Sequence, residues 1–68
     1  MEFDLFNPQT LEQGKQLAKH MARMAKDKGV PCAFEVVRTK SKPIDVQPFG
    51  MHAMFKSHHL LHVEPIPE

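Results

Sequence analysis

Gly29-Val30-Pro31 is the place on this chain where one kind of structure has to stop and another begin. Glycine accepts the left-handed backbone that closes a helix, and a proline two residues later has no N–H with which to continue one. The apolar residues repeat differently on its two sides. Before it they recur every three or four positions, and after it they alternate, so the pattern reads as a helix followed by strands. The fold class that follows is α+β.

The helix is expected over about residues 8–28. Asn7 is a good N-cap and Pro8 suits the first helical position, where its missing N–H is no loss; Thr10 with Gln13 is an alternative capping box. At 100° per residue, Met24, Leu17, Met21, Gly14, Ala25, Ala18, Leu11 and Ala22 share an arc of about 160°, as in an amphipathic helix. One shoulder of that arc carries Lys15, Lys26, Lys19 and Arg23, a stripe of cations spaced by four, four and three residues in chain order. Ahead of the helix, residues 1–7 form an arm whose Phe6 is placed to staple onto Leu11 or its neighbours, or to reach a second subunit.

Beyond Pro31, Cys32–Thr39 reads as a strand with Phe34 and Val36 on one face and Glu35, Val37 and Thr39 on the other. The polar "KSKP" is a turn, and "IDVQP" resumes the alternation with Ile44 and Val46 inward, giving a hairpin with Pro43 and Pro48 on an edge. "FGMHAMFKS" reads equally as a short helix or a strand. "HHLLHVEP" reads as a strand that stops at Pro65, with His58, Leu60, His62 and Glu64 on one face and Leu61 and Val63 on the buried one. One long N-terminal amphipathic helix packed on a small antiparallel sheet of about three strands is the expected architecture. It forms a single domain, with its sheet part over 32–64 and a tail over 65–68.

A chain of 68 residues buries only about 60% of the surface it exposes when unfolded, so its own core supplies little stability. The single cysteine, Cys32, excludes an intrachain disulfide, which leaves metal or self-association as the usual supports. The acidic start "MEFDLFNPQ" is no signal peptide and no run is long enough to span a membrane, so a reducing cytoplasm is the expected setting. A net charge of +1 and a pI near 8.0 do not make the whole chain an attractant for nucleic acid. Any such contact has to be local. Its charge also depends on pH, since imidazoles titrate near about pH 6.5 when unperturbed and the five histidines together would raise +1 to +6.

No catalytic template is present: three glycines form no phosphate cradle, and Cys32 at the head of an apolar strand reads as a small buried hydrophobe. The chain is therefore expected not to be an enzyme and to carry no cofactor. "HHLLH" with His52 and Cys32 has enough donors for zinc by count, but on a strand His58 and His62 stand about 13 Å apart at ~3.3 Å per residue, and His59 faces the other way. No metal residues are assigned, and a His-based metal-binding module is kept as an alternative that a helical segment would restore.

The stripe is the better signal. Lys15, Lys19, Arg23 and Lys26 lie along about 16 Å of helix at ~1.5 Å per residue, a spacing that suits a run of phosphates or an acidic protein surface, with Lys56 adding to it. The expected function is a small regulatory protein contacting nucleic acid or a nucleoprotein complex through this flank. The alternative is a protein–protein inhibitor that occludes a larger partner. Leu17, Met21 and Met24 on the apolar face are the expected interface residues, with a homodimer anticipated and no membrane contact. The order helix, Val30-Pro31, then Phe55, Lys56 and His58 before a short terminal strand resembles the Sm-like RNA-binding proteins. The region after Pro31 is too short for that family's five strands, and no site residue follows from the resemblance.

Overall fold

Thr10 starts the helix. In the computed structural model, which describes residues 4–50 and 59–67, α1 spans Leu11–Asp27, and the extended backbone of Thr10 lets its Oγ1 accept the N–H of Gln13 at 3.2 Å. The first turn expected from Asn7-Pro8 is not helical. Asn7 instead closes a turn by donating its N–H to the Asp4 carbonyl at 3.0 Å, and Gln13 Oε1 accepts from Gln9 N–H at 2.8 Å, so the box is only half formed at Thr10. At the other end Gly29 takes a positive φ of 79°. Its N–H bonds to the Lys26 carbonyl and that of Val30 to the Ala25 carbonyl, each at 3.0 Å, which satisfies two of the carbonyls a helix leaves open.

The sheet has three strands, β1 (Phe34–Arg38), β2 (Asp45–Pro48) and β3 (His59–Glu64), in the order β2-β1-β3 with both pairings antiparallel. Residues 39–44 make the hairpin connection, where Thr39 N–H donates to the Lys42 carbonyl at 2.9 Å and Lys42 N–H to Thr39 Oγ1 at 3.0 Å. Pro48 ends β2, an edge strand, where a missing donor does no harm, and Pro43 lies in the connection before it. β3 stops before Pro65, as its sequence implies. The segment "FGMHAMFKS" lies mostly outside the described residues, together with His52, Lys56 and His58. Among the described residues no helix is long and apolar enough to cross a membrane.

α1 lies on the face of the sheet that carries Phe34 and Val36, and Ala18, Ala22, Phe34, Val36 and Ile44 form the buried core. The approach is close because of Gly14. A Cβ there would stand 2.8 Å from Ile44 Cγ2 and 2.9 Å from Val36 Cγ1. Glu35 and Val37 lie on the face opposite Phe34 and Val36, as alternation implies, and both are fully buried there. β1 is the central strand, and a central strand covered on both faces loses the polar-out signal that alternation relies on.

The faces of β3 also differ from the expected ones. Leu60 pairs with Val37 and His62 with Val36, leaving Leu61 as the extra residue of a bulge. Leu61 packs on the helix-side core, whereas Leu60 and Val63 share the far face with Val37 and Glu35. His62 and Glu64 do remain together, on the helix side, with His62 Nε2 and Glu64 Oε1 3.2 Å apart.

Gly14→Ala should destabilise the fold although it gains about 1 kcal/mol of helix propensity, because methyl groups on stiff, buried side chains must move at a cost of roughly 1–3 kcal/mol. A net loss of about 1 kcal/mol, or ~4–8 °C in Tm for a domain this small, is the expected outcome in a thermal melt. A rise in Tm would mean that the helix does not sit on the sheet at this residue.

Candidate functional site

The helix flank expected to carry the cations does so, but the four side chains are not equivalent. Lys15 is half-buried and 3.6 Å from Glu12 Oε1, an ion pair between neighbouring turns of the helix. Lys26 is exposed, and its Nζ donates to the Pro67 carbonyl at 2.7 Å. That bond keeps the charge and ties the flank to the tail after β3. Lys19 and Arg23, one turn apart, are exposed and make no ion pair among the described residues.

The charge of the chain is unevenly divided. Between Leu11 and Lys28 stand Lys15, Lys19, Arg23, Lys26 and Lys28 against Glu12 and Asp27, five cations to two anions, or +3. The remaining residues hold four cations and six anions, or −2, so a net charge of +1 conceals a cationic helix on a slightly anionic body. Exposed cations of one sign on one element produce a local field that a partner senses within about a Debye length, ~8 Å at physiological salt.

A second feature lies where the helix ends. Met21, Met24, Ala25, Val30, Cys32 and Phe34 line an open apolar groove of about 340 Å³ with Lys28 at its rim. The left-handed turn at Gly29 builds it, by folding Val30 back beside Ala25 and Met24. Met24 is 40% exposed and Val30 69%. Of the residues expected at an interface, Leu17 is 6% exposed and belongs to the core, Met21 is half-buried against that core, and Met24 lies at the surface. Val30, Cys32 and Phe34 did not emerge from the sequence, because a helix wheel ends at residue 28 and cannot include what folds back under it.

Nothing in the described residues gathers metal ligands: no group of three His, Cys, Asp or Glu side chains converges there. β3 is a strand, and His59 lies three positions from His62, which faces Glu64. Cys32 is half-buried, with its Sγ donating to the Ala33 carbonyl at 3.2 Å. On the other side of the helix Phe6 meets His20 edge-on at 5.8 Å between ring centres, so the arm lies on its own helix at that residue. No family model matches the chain, and no curated protein or solved structure matches it.

The rim and floor of the groove should respond differently to substitution. Val30→Lys and Met24→Lys, at exposed positions, should change stability by no more than about 0.5 kcal/mol, while Phe34→Ala, which empties a core position, should cost roughly 3–5 kcal/mol and leave much of the chain unfolded. Urea denaturation followed by circular dichroism reads both effects, and a tolerated Phe34→Ala would remove Phe34 from the core.

Proposed function

We propose that this chain is a small non-enzymatic regulatory protein that binds nucleic acid, or a nucleoprotein complex, through phosphate contacts from one flank of α1. The observation that carries the reading is the pair Lys19 and Arg23, exposed one turn apart and making no ion pair among the described residues. Lys26 extends the flank by a further turn, and its ammonium retains donors beyond the one that meets Pro67. Contacts of this kind position a protein on a phosphate backbone and read little sequence. The chain has no Trp or Tyr to add stacking. A cytoplasmic setting fits the lone thiol of Cys32.

A second reading is favoured by the groove at the helix C-terminus. Met24 and Val30 beside Lys28 suit an amphipathic segment of another protein, with apolar anchors in the groove and an acidic group at its rim. On that reading the chain modulates a larger partner by covering part of its surface. Affinity capture from nuclease-treated lysate separates the readings, because a partner lost on nuclease treatment belongs to the first.

Three phosphates neutralised by Lys19, Arg23 and Lys26 would give a slope of about −2.7 in log K against log salt on duplex DNA. Affinity should then fall ~40-fold between about 50 and 200 mM salt. Fluorescence anisotropy with a labelled duplex reads that slope, and the double variant Lys19→Ala, Arg23→Ala should reduce it to about −0.9. Binding that ignores both salt and the double variant would sink the proposal.

A further inference from the structure

We infer that the cleft between the N-terminal arm, the Leu17 side of α1 and β2 binds a small planar aromatic carboxylate. The cleft holds about 280 Å³, just below the range of about 300–1,000 Å³ typical of ligand pockets. A fused ring with a short head group is the size it takes. Its walls are fixed before any ligand arrives. Phe6 N–H donates to Asp4 Oδ1 and Asn7 N–H to the Asp4 carbonyl, each at 3.0 Å, and Gln9 N–H donates to Gln13 Oε1 at 2.8 Å, so the arm is pinned to itself and to α1. Across the cleft the backbone of Lys42 is held from both sides by Thr39: its N–H donates to Thr39 Oγ1 at 3.0 Å, and its carbonyl accepts Thr39 N–H at 2.9 Å. The buried Leu17 and Ile44 make the floor. Binding to a preformed cleft costs little ordering entropy.

Two features select the chemistry of the ligand. The apolar lining is rich in rigid rings: Phe6, Pro8 and Pro43 contribute to it, and Phe6, which meets His20 edge-on, is 66% exposed. Such surfaces stack on a planar ring better than on a flexible chain, and the Met21 thioether adds a sulfur contact that aromatic rings favour. The second feature is charge. Lys42 and Asp45 are the charged residues of the lining, and Asp45 is engaged within its own strand, where Oδ1 accepts Val46 N–H at 3.0 Å and Oδ2 accepts the Gln47 side-chain amide at 3.3 Å. Lys42 is held loosely by comparison, with its Nζ 4.0 Å from Asp45 Oδ1 and its side chain 65% exposed. An ammonium with three donors in this position is matched by a carboxylate, and the Asn7 side-chain amide on the arm adds a neutral donor.

The cleft lies on the side of α1 away from Lys26 and the tail, so it stands or falls apart from nucleic-acid binding. Titration of the chain with β-naphthoate, free of nucleic acid and followed by amide NMR signals, tests it. The signals of Phe6, Leu17, Ile44 and Val46 should shift together and half-saturate below about 1 mM. β-Naphthamide, the same ring without the charge, and octanoate, the same charge without the ring, should each bind about fivefold more weakly. Lys42→Met should weaken β-naphthoate by about the same factor and leave β-naphthamide unchanged, whereas Phe6→Ala should weaken both; the comparison of the three compounds on the wild-type chain keeps the idea testable if either variant fails to fold. Equal binding of all three compounds, shifts confined to Lys19, Arg23 and Lys26, or no shift at millimolar β-naphthoate overturns the assignment.

Discussion

The contact of Gly14 with the methyl groups of Val36 and Ile44 holds this structure together, because it lets the helix backbone settle onto a sheet only three strands wide. A side chain there would lift that end of α1 and open the layer formed by Ala18, Ala22, Val36 and Ile44. The small residues that continue the line, Ala18 and Ala22, are fully buried for the same reason. Close approach makes up for a short chain: the core gains contact area by bringing backbones together and uses few large side chains to do it.

With the helix seated in this way, its two flanks acquire different neighbours. One side, toward Leu17 and Met21, meets β2 and the arm at Phe6. The other passes Ala22 to Lys15, Lys19 and Lys26 and reaches the tail after β3. The cations are therefore held on a rigid element beside an edge strand. A row of charges on a helix loses less backbone entropy on binding than the same charges on a loop would, which supports the flank as a contact surface for an extended anion. The apolar groove sits at the far end, beneath the turn at Gly29, where a partner protein would meet a different chemistry.

The body of the helix and the order of the strands were legible because they rest on local rules. Period 3.6 places Gly14, Leu17, Ala18 and Ala22 inward, Gly29 stops the helix, and Pro65 stops β3. What was not legible depends on neighbours distant in sequence. Asn7-Pro8 looks like a helix start until the arm turns at Asp4, and alternation gives Glu35 a face without showing that this face is buried. The bulge at Leu61 shifts which side chains of β3 face the helix, and no alternating pattern announces it. The cationic stripe was plain in the sequence, yet only the structure separates Lys15, beside Glu12, from Lys19 and Arg23, which make no ion pair among the described residues.

The central claim is that this one flank is where an anionic partner lands, and a heteronuclear NMR titration with a short duplex tests it residue by residue. The account predicts that the amide and side-chain signals of Lys19, Arg23 and Lys26 move first and saturate together, while those of Val37 and Gln47 on the opposite face of the sheet stay still. Signals that move instead around Met24 and Val30, or a spectrum indifferent to the duplex, would contradict it.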